Sequence, residues 1–336
     1  QYNLYGPVSI NVLLITPYSF TKYGGVQNQV NLIEEYLDKH NDFNVKVFAH
    51  GKNDILDNET IYNIPFNSSV SSVMLFPKKR LLSEYILWAD VIHIHEPFVP
   101  IVFWRLPKDK KYVFTHHASL NGVVVYLLKM IYKLFSFNSM STYVSYEAKS
   151  NALALSQSSE LIPNMIKINN DATYSKSNGY LFIGRDEKRK NIKFFKMLSI
   201  KNKFENSKFI AITDKEIDNS NIVTHVNPGN DEKNMIFKET NIYLALNTKS
   251  ESFGITILEA VNNGNLAVTS NLDAFINVLR DSHIIFKNKN FESLYKVLLD
   301  LKGSNLNELW EKQFTEIKKY DLYKNMDKFI YIYSKL

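Results

Sequence analysis

The side chains best suited to binding an anion lie in one short segment of the second half of the sequence. Residues 184–191 read GRDEKRKN and follow directly after an apolar run that is typical of a strand. Cations at the end of a strand can clamp a diphosphate, and they stabilise negative charge that develops on a leaving phosphate. We therefore take Arg185 and Lys190 as candidate catalytic residues.

Two glutamates form a second candidate group. Residues 250–260 read SESFGITILEA, and the pattern predicts a helix that begins near Gly254. Glu251 precedes this helix and Glu259 lies more than one turn inside it. Carboxylates accept paired hydrogen bonds from vicinal diols, so the two glutamates can hold different parts of one extended ligand. Glu251 is a candidate catalytic residue, and the candidate substrate-binding residues are Phe253, Gly254, Ile255 and Glu259.

A pair of adjacent glycines forms the third candidate group. Residues 16–27 contain the end of an apolar run, a loop with the two glycines and the start of an amphipathic helix. Paired glycines let the backbone approach a ligand closely, and a helix N-terminus directs unpaired N–H groups at an anion. The spacing is neither that of a dinucleotide-binding motif nor that of a P-loop. Gly24, Gly25 and Gln27 are candidate substrate-binding residues.

These segments are embedded in an alternation of β-branched runs and helical patterns. Strands that alternate with helices predict parallel sheets with crossover connections. A polar segment at residues 169–178 separates two such series, so the sequence predicts an α/β protein with two doubly wound, Rossmann-like domains. Residues 306–336 read as helix. The predicted strands are 10–16, 45–49, 91–95, 112–116, 143–146 and 161–162 in the first series, and 180–183, 209–213, 222–226, 242–246, 266–269 and 283–286 in the second.

The composition is that of a folded protein with a basic excess. The chain has 336 residues, 45% of them hydrophobic, and no cysteine, which excludes disulfides and thiolate zinc sites. The net charge is +6, and residues 78–133 hold nine basic against four acidic residues. Such a stretch either attracts an anionic partner or forms a solvated basic face. No modular nucleic-acid-binding signature accompanies it, so we expect no nucleic-acid partner.

Four histidines occur at the ends of neighbouring predicted strands. His93 and His95 alternate along one strand, and His116 and His117 end the next. No carboxylate cluster accompanies them in the sequence. We therefore interpret them as histidines at polar strand ends and expect no metal site.

An apolar run at residues 123–137 admits two interpretations. It is shorter than the roughly 20 residues that a transmembrane helix needs, and it carries Lys129 and Lys133. It is either an interfacial helix that lies on a membrane surface or a core helix whose lysines extend to solvent.

Taken in order, these segments resemble the retaining glycosyltransferases of family 4, which have the GT-B fold. The glutamate pair is similar to the family's E-x7-E element, and it follows a GR…KN element as in the family. Met165 and Asn265 stand where the family usually has glycine and proline. Blocks similar to the family cover almost the whole chain: IHIHEP at 92–97, FTHHAS at 114–119, IPN at 162–164 and SNLDAF at 270–275. The segments GGVQNQV, HEPFVP and SNLDAFINVL are most similar to the phosphatidylinositol mannosyltransferase branch.

The resemblance implies a role for each candidate residue. Gly25 offers its backbone N–H to the phosphate of a nucleotide-sugar donor. Arg185 and Lys190 bind the diphosphate, Glu251 holds hydroxyls of the transferred sugar, and Glu259 holds the ribose diol. His117 is then also a catalytic candidate, because it matches a family histidine that lies by the transferred sugar.

The resemblance also implies an architecture in which two domains face each other across a cleft and a C-terminal helix crosses back. Residues 1–166 are the expected acceptor-side domain, 167–318 the nucleotide-sugar-binding domain and 319–336 the returning helix. The implied reaction transfers a hexose, with mannose favoured and with retention at the anomeric carbon. It needs no metal or other cofactor, and the nucleotide of the donor, GDP or UDP, is left open.

The implied acceptor is a hydroxyl of a membrane lipid such as an inositol phospholipid. We therefore expect a cytoplasmic protein that is peripheral on the inner face of an anionic membrane. A family 4 transferase that uses UDP-glucose or another donor on a soluble or polysaccharide acceptor is an alternative. A non-catalytic nucleotide-sugar-binding protein is another, although the presence of Arg185, Lys190, Glu251 and Glu259 together argues against lost catalysis.

Overall fold

The chain divides into two compact units. Unit 1 contains Gln1–Met165 and Leu322–Leu336, and unit 2 contains Ile166–Asp321. These limits differ by one and three residues from those implied by the resemblance, after residues 166 and 318. The computed structural model describes residues 9–22, 24–52, 56–66, 69–97, 106–118, 120, 122–132, 138–156 and 158–336. Tyr23, Ser119, residues 98–100 and the 133–137 end of the apolar run belong to predicted motifs and lie outside the described residues.

Each unit is built on one parallel sheet. The sheet of unit 1 has the strand order β2-β1-β5-β6-β7-β8 and that of unit 2 the order β11-β10-β9-β12-β13-β14, while β3 and β4 form an antiparallel hairpin. The strands are β1 (Ile10–Ile15), β2 (Phe43–Phe48), β3 (Ile61–Phe66), β4 (Ser69–Met74), β5 (Val91–His95), β6 (Lys111–His116), β7 (Asn138–Tyr143), β8 (Ser159–Leu161), β9 (Gly179–Ile183), β10 (Lys208–Thr213), β11 (Val223–Val226), β12 (Ile242–Ala245), β13 (Leu266–Ser270) and β14 (Ile285–Phe286).

Helices connect most of these strands, so the prediction of two doubly wound α/β domains is confirmed. The helices of unit 1 are α1 (Gly25–Asp38), α2 (Lys79–Trp88), α3 (Gly122–Tyr132), α4 (Lys149–Leu155) and, at the end of the chain, α11 (Leu322–Lys335). Those of unit 2 are α5 (Ile192–Ser199), α6 (Asn230–Glu239), α7 (Ile255–Asn262), α8 (Asp273–Leu279), α9 (Phe291–Leu301) and α10 (Leu306–Ile317). No helix in the described part of the chain is both long and apolar enough to cross a membrane.

Both faces of the unit 1 sheet are covered, because successive side chains of a strand point to opposite faces. Leu13 and Ile15 of β1 pack into one core with α2, whereas Val12 and Leu14 pack into the other core with α1 and α11. Phe329 of α11 is fully buried there. Burial of such a side chain stabilises a fold by about 1.5–3 kcal/mol, so the C-terminal helix is an integral part of unit 1.

Two parts of the predicted element pattern were wrong. The strand predicted at 143–146 lies earlier, as β7, whose Ser141 and Thr142 are buried although they are polar. Thr142 is accommodated because its hydroxyl forms a 2.6 Å hydrogen bond with that of Thr115 on β6. The helix predicted over 306–336 is two helices, separated by the short turn Lys318–Tyr320. The β3–β4 hairpin was not predicted.

Candidate functional site

The strand order of unit 2 creates a place where successive connections diverge. β9, β10 and β11 follow one another toward one edge of the sheet, whereas β12, β13 and β14 lead to the other edge. β9 and β12 are therefore neighbours, and open α/β sheets bind ligands beyond the carboxyl ends of two such strands. The loops that follow them are residues 184–191 and 246–254, which contain the candidate cations and Glu251.

One carboxylate oxygen of Glu251 joins these two loops. Glu251 Oε2 accepts hydrogen bonds from Asn247 Nδ2 at 2.6 Å and from Lys190 Nζ at 3.1 Å. The guanidinium of Arg189 lies 3.8 Å from the same oxygen. Asn247 is itself fixed, because the hydroxyl of Ser270 donates to its carbonyl oxygen at 2.6 Å. Glu251 is thus held in a defined position by groups from both loops.

The surroundings of Glu251 favour its charged form. Burial alone would raise the pKa of this carboxyl, because the ionised group loses contact with water. The charges of Lys190 and Arg189 and the hydrogen bonds from Lys190 and Asn247 outweigh that effect, so the pKa of Glu251 lies below its ordinary value. At neutral pH Glu251 is therefore a carboxylate, which accepts hydrogen bonds from hydroxyl groups.

The two arginines of the basic loop share one carboxylate. Glu187 Oε1 lies 3.3 Å from Nε of Arg185, and Glu187 Oε2 accepts a 2.7 Å hydrogen bond from Nε of Arg189. The side chain of Arg185 is 42% exposed, whereas that of Arg189 is 10% exposed and donates to the carbonyl oxygen of Ser250 at 3.3 Å. Arg185 is thus accessible to an incoming anion, and Arg189 is part of the protein's internal network.

Gly254 provides the turn that starts α7 beside this cluster. Its φ of +97° lies in the left-handed region that favours glycine, and an added Cβ would lie 3.0 Å from the ring of Phe275. The side chain of Phe253 is buried against Tyr320, with the ring centroids 5.3 Å apart, and Ile255 packs against the core of unit 2. The backbone of Phe253 and Ile255 is therefore better placed than their side chains to contact a ligand.

Glu259 is held in a second ion pair. Lys233 of α6 donates to Glu259 Oε2 at 2.7 Å, and both side chains are mostly buried. The two predicted glutamates also act on a common neighbour, Tyr243. Burial raises the pKa of Tyr243, and the charges of Glu251 and Glu259 add to this effect, so both carboxylates lie near its buried ring.

The candidate glycines of unit 1 occupy the corresponding position in their own sheet, because β1 and β5 are the strands at which its connections diverge. Gly24 is the N-cap residue of α1 and Gly25 its first helical residue. The side-chain amide of Gln27 donates to the carbonyl oxygens of Ser19 at 3.0 Å and Lys22 at 3.3 Å. Gln27 therefore closes the loop before α1, and the N-terminus of a helix favours an anion.

His117 follows β6 and is held by two residues at the end of β5. Its Nε2 lies 3.0 Å from His95 Nδ1. The carboxyl oxygen Oε2 of Glu96 accepts the backbone N–H groups of His117 at 3.3 Å and of Ala118 at 3.0 Å. Glu96 is buried and has a φ of +58°, a conformation that costs about 1–3 kcal/mol in a residue other than glycine. The contacts with the next loop offset this strain.

These imidazoles are neutral at physiological pH. Burial lowers the pKa of His93 and His116 to about 3 and that of His95 well below its ordinary value. Burial lowers the pKa of His117 to about 4, although the side chain of Asn164 acts in the opposite direction. Within the described residues, no three His, Cys, Asp or Glu side chains are arranged to hold a metal ion.

The structure brings together some of the predicted residues and adds others. Lys190 and Glu251 are in contact, and Arg185 is connected to them through Glu187 and Arg189. Within its own unit, Glu259 belongs to a separate ion pair, and Gly24, Gly25, Gln27 and His117 lie in unit 1. Sequence reasoning missed Arg189, Asn247, Lys233, His95 and Glu96. The first two carried a signal, since they lie in the same loops as Lys190 and Glu251.

Comparison with known proteins relates the chain to glycosyltransferases. Residues 23–168 match the model of Glycosyltransferase Family 4. The chain is 27% identical over 312 residues to a phosphatidyl-myo-inositol mannosyltransferase of Mycobacterium leprae, with 81% of each chain covered. It is 25% identical over 310 residues to the enzyme of the same name from Mycobacterium tuberculosis, with 81% of this chain and 80% of the relative covered.

Solved structures share the fold at lower identity. Sucrose-phosphate synthase from Thermosynechococcus elongatus superposes with a TM-score of 0.71 and 12% identity, over 97% of this chain and 98% of the other. Anabaena HepE in complex with UDP-glucose gives a TM-score of 0.71 and 13% identity, over 97% of this chain and all of the other. The fold is therefore that of the GT-B glycosyltransferases, and the match of residues 23–168 to the family 4 model together with the curated relatives supports glycosyltransferase activity.

Proposed function

We propose that the protein moves a hexose, with mannose favoured, from a nucleoside diphosphate to a hydroxyl of a membrane lipid, with retention at the anomeric carbon. The observation that carries the proposal is the cluster of Lys190, Arg189 and Asn247 around the Glu251 carboxylate, at the carboxyl ends of β9 and β12. It provides both requirements of the reaction at one place: cations for a leaving diphosphate and a carboxylate for sugar hydroxyls.

Each residue then has a defined task. The exposed guanidinium of Arg185 and the ammonium of Lys190 bind the diphosphate and stabilise the charge that it gains as the glycosidic bond breaks. Glu251 orients the transferred sugar, and the Glu259 carboxylate accepts hydrogen bonds from the ribose. Gly25 at the start of α1 contributes a backbone N–H to a donor phosphate, and His117 lies against the sugar.

Retention follows if the acceptor attacks the anomeric carbon from the face that the diphosphate leaves. The departing phosphate oxygen then takes the proton of the acceptor hydroxyl, so no protein base is needed at that step. The work left to the protein is to orient the two substrates and to stabilise charge, which together can supply most of a rate enhancement.

The identity of the donor is supported by the relatives and not by a side chain of the site. Two relatives at 25–27% identity are named phosphatidyl-myo-inositol mannosyltransferases, which favours mannose and an inositol lipid. HepE, which shares the fold, was solved with UDP-glucose bound, so a UDP-sugar donor with a soluble or glycan acceptor is the second candidate. A thermal-shift screen over GDP-, UDP- and ADP-sugars distinguishes the donors, because a ligand that binds the native state raises its stability.

A membrane-bound acceptor is supported by the surface of α3. Val123, Tyr126 and Met130 are exposed, and their spacing puts them on one face of the helix, next to the exposed Lys129. This face lies within the basic stretch of residues 78–133, of which Arg105 and Lys133 lie outside the described residues. A helix with exposed apolar and basic side chains binds an anionic surface through both the hydrophobic effect and charge attraction.

The catalytic part of the proposal is tested with Arg185→Ala and Lys190→Ala in a transfer assay with the preferred donor. Each should lower kcat/KM on the order of 100-fold while the fold stays intact. Lys208→Ala is the matched control, since Lys208 is an exposed cation of the same unit that pairs with Glu239. Turnover close to normal in both site variants would contradict the assignment.

The membrane part is tested by cosedimentation with anionic and with neutral vesicles at low and high salt. We expect binding to anionic vesicles that weakens as salt rises, because screening shortens the reach of the charges. The variants Tyr126→Ser and Lys129→Glu should each reduce it. Absence of binding to anionic vesicles at low salt would favour the soluble acceptor and leave the transferase assignment intact.

A further inference from the structure

The imidazole of His117 makes a hydrogen bond whose direction matters for any chemistry at this residue. Its Nε2 and the Nδ1 of His95 lie 3.0 Å apart, and both rings are buried and neutral. A neutral imidazole has one donor nitrogen and one acceptor nitrogen. Of the two nitrogens that face each other, one therefore carries the hydrogen and the other accepts it, and this choice fixes the tautomer of both rings.

The other nitrogen of His95 decides between the two arrangements. His95 Nε2 is buried and has no hydrogen-bond partner among the described residues. If His117 were the donor, His95 would carry its own hydrogen on Nε2, where a buried N–H would be left without an acceptor. If His95 is the donor instead, its Nε2 carries no hydrogen and is an acceptor that lacks a donor. Orphaned N–H groups are rarer in proteins than acceptors that lack a partner, which favours the second arrangement.

Neighbouring groups hold both partners of this hydrogen bond in place. The ring of His95 stacks on that of His93 with centroids 4.2 Å apart, and His93 is fixed by Tyr333 at 2.7 Å and by Thr115 at 2.6 Å. Glu96 accepts the backbone N–H of His117, so backbone and side chain of His117 are both held from the end of β5. The geometry is that of a second residue that orients a functional one.

We propose that His95 is a positioning residue, which donates from Nδ1 to His117 Nε2 and so fixes His117 as the tautomer with hydrogen on Nδ1. In that form His117 can donate a hydrogen bond from Nδ1 to an oxygen of the transferred sugar and cannot act there as a base. The inference rests on the proposed function for the task of His117, but the tautomer itself is a property of the protein without substrate.

The test is a long-range proton–nitrogen correlation spectrum of the full chain, with histidines labelled by nitrogen-15, at neutral pH. The spectrum distinguishes protonated from bare ring nitrogens, and the variant His117→Asn identifies the signals of His117. We expect the wild type to show hydrogen on Nδ1 of His117 and on Nδ1 of His95. Hydrogen on Nε2 of His117 in the wild type would overturn the proposal.

Two substitutions of His95 separate positioning from a general effect on packing. In His95→Asn the side-chain amide can still donate at the place of Nδ1, so His117 should keep its tautomer. In His95→Asp an ionised carboxylate offers only an acceptor at that place, so we expect hydrogen to move to Nε2 of His117 and kcat to fall about tenfold, the order of one lost hydrogen bond. The asparagine variant should recover most of that loss.

The outcomes keep this inference apart from the proposed function. If no sugar is transferred but the tautomers are as expected, the proposed function fails and the positioning by His95 stands. If transfer occurs and His117 keeps its tautomer in His95→Asp, the inference fails and the function stands. An aspartate variant that does not fold leaves the wild-type and asparagine spectra to decide.

Discussion

Lowering the pH from 7 to 5 should destabilise unit 1 steeply, because four of its histidines are buried as neutral groups. His93, His95, His116 and His117 have folded-state pKa values of about 4 or lower, or well below the ordinary value. In the unfolded chain their pKa returns to about 6.5, so each takes up a proton on unfolding below that pH. A group whose pKa is lower in the folded than in the unfolded state stabilises the fold above the unfolded-state pKa, and it loses that contribution as the pH falls.

One carboxyl group acts in the opposite direction. Burial raises the pKa of Glu96 from its ordinary value of 4.5 to about 8, although two backbone N–H groups lower it in part. Between these values the folded state holds a proton that the unfolded state releases, so this contribution to stability decreases as the pH rises. Near pH 5.5 the histidines take up about four protons on unfolding and Glu96 releases about one.

The net uptake of about three protons sets the magnitude. The free energy of unfolding of unit 1 should fall by about 4 kcal/mol per pH unit as the pH drops through 5.5. As the pH rises from 7 to 8 it should decline by only about 0.5 kcal/mol, because Glu96 is then partly deprotonated in the folded state and the last histidine protons act in the opposite direction. Urea unfolding between pH 5 and 8 measures both slopes. The fluorescence of Trp88 reports on unit 1 alone when Trp104 and Trp310 are replaced by phenylalanine.

Two variants show which residues cause the acid and the alkaline slope of the unfolding free energy. His93→Gln removes one histidine and should reduce the acid slope by about 1.4 kcal/mol per pH unit. Glu96→Gln removes the opposing carboxyl, so the decline above pH 7 should disappear and the acid slope should become steeper. A wild-type unfolding free energy that is constant between pH 5 and 6 would refute the reasoning, because neutral buried histidines cannot be present without that dependence.

Three further predictions concern unit 2. Glu251→Gln should lower the transfer rate with little change in affinity for bare nucleoside diphosphate, whereas Glu259→Gln should weaken that affinity; equal losses by calorimetry would contradict the division of roles. Glu187→Gln should tighten diphosphate binding a few-fold at low salt, since Arg185 and Arg189 lose a competing anion, and unchanged affinity would mean that Glu187 does not compete. Gly254→Ala should destabilise unit 2 by about 1–3 kcal/mol, whereas Gly229→Ala, where an added Cβ meets nothing within 4 Å, should be nearly neutral; equal denaturation midpoints of the two variants would refute this.

The parts of the fold and of the site that depend on local sequence pattern could be predicted. The alternation of strands and helices predicted two parallel sheets, and the position of residues 184–191 after β9 predicted cations at a carboxyl edge. The position of β7 was not predictable in this way, because it buries serine and threonine residues and not an apolar run. The apolar spacing of α10 and α11 continues across the break between them, so the helical pattern did not reveal it, and only the family resemblance implied a boundary there, after residue 318.

The ion pairs and hydrogen bonds within the site could not be predicted from the sequence, because they join residues that lie far apart along the chain. The contact of Lys190 with Glu251 joins residues 61 positions apart, and it exists because β9 and β12 are neighbours in the sheet. A list of charged residues does not tell which cation a carboxylate binds, so Lys233 and Arg189 could not be assigned from sequence. The histidines show the converse: their alternation was visible, but only the burial of β5 makes them neutral.

The ion pairs of unit 2 explain why its cations can be both buried and available. A lysine or arginine moved out of water without a partner is strongly destabilising, so a site with several such cations needs carboxylates near them before any phosphate arrives. Glu187 and Glu251 serve that need, since Glu187 contacts both arginines and Glu251 contacts Lys190. On the proposed function, a bound diphosphate adds its charge to cations that are already positioned and partly desolvated. The binding energy of the donor is therefore spent on orienting the sugar and not on ordering the loop, which is the condition for stabilising the transition state more than the ground state.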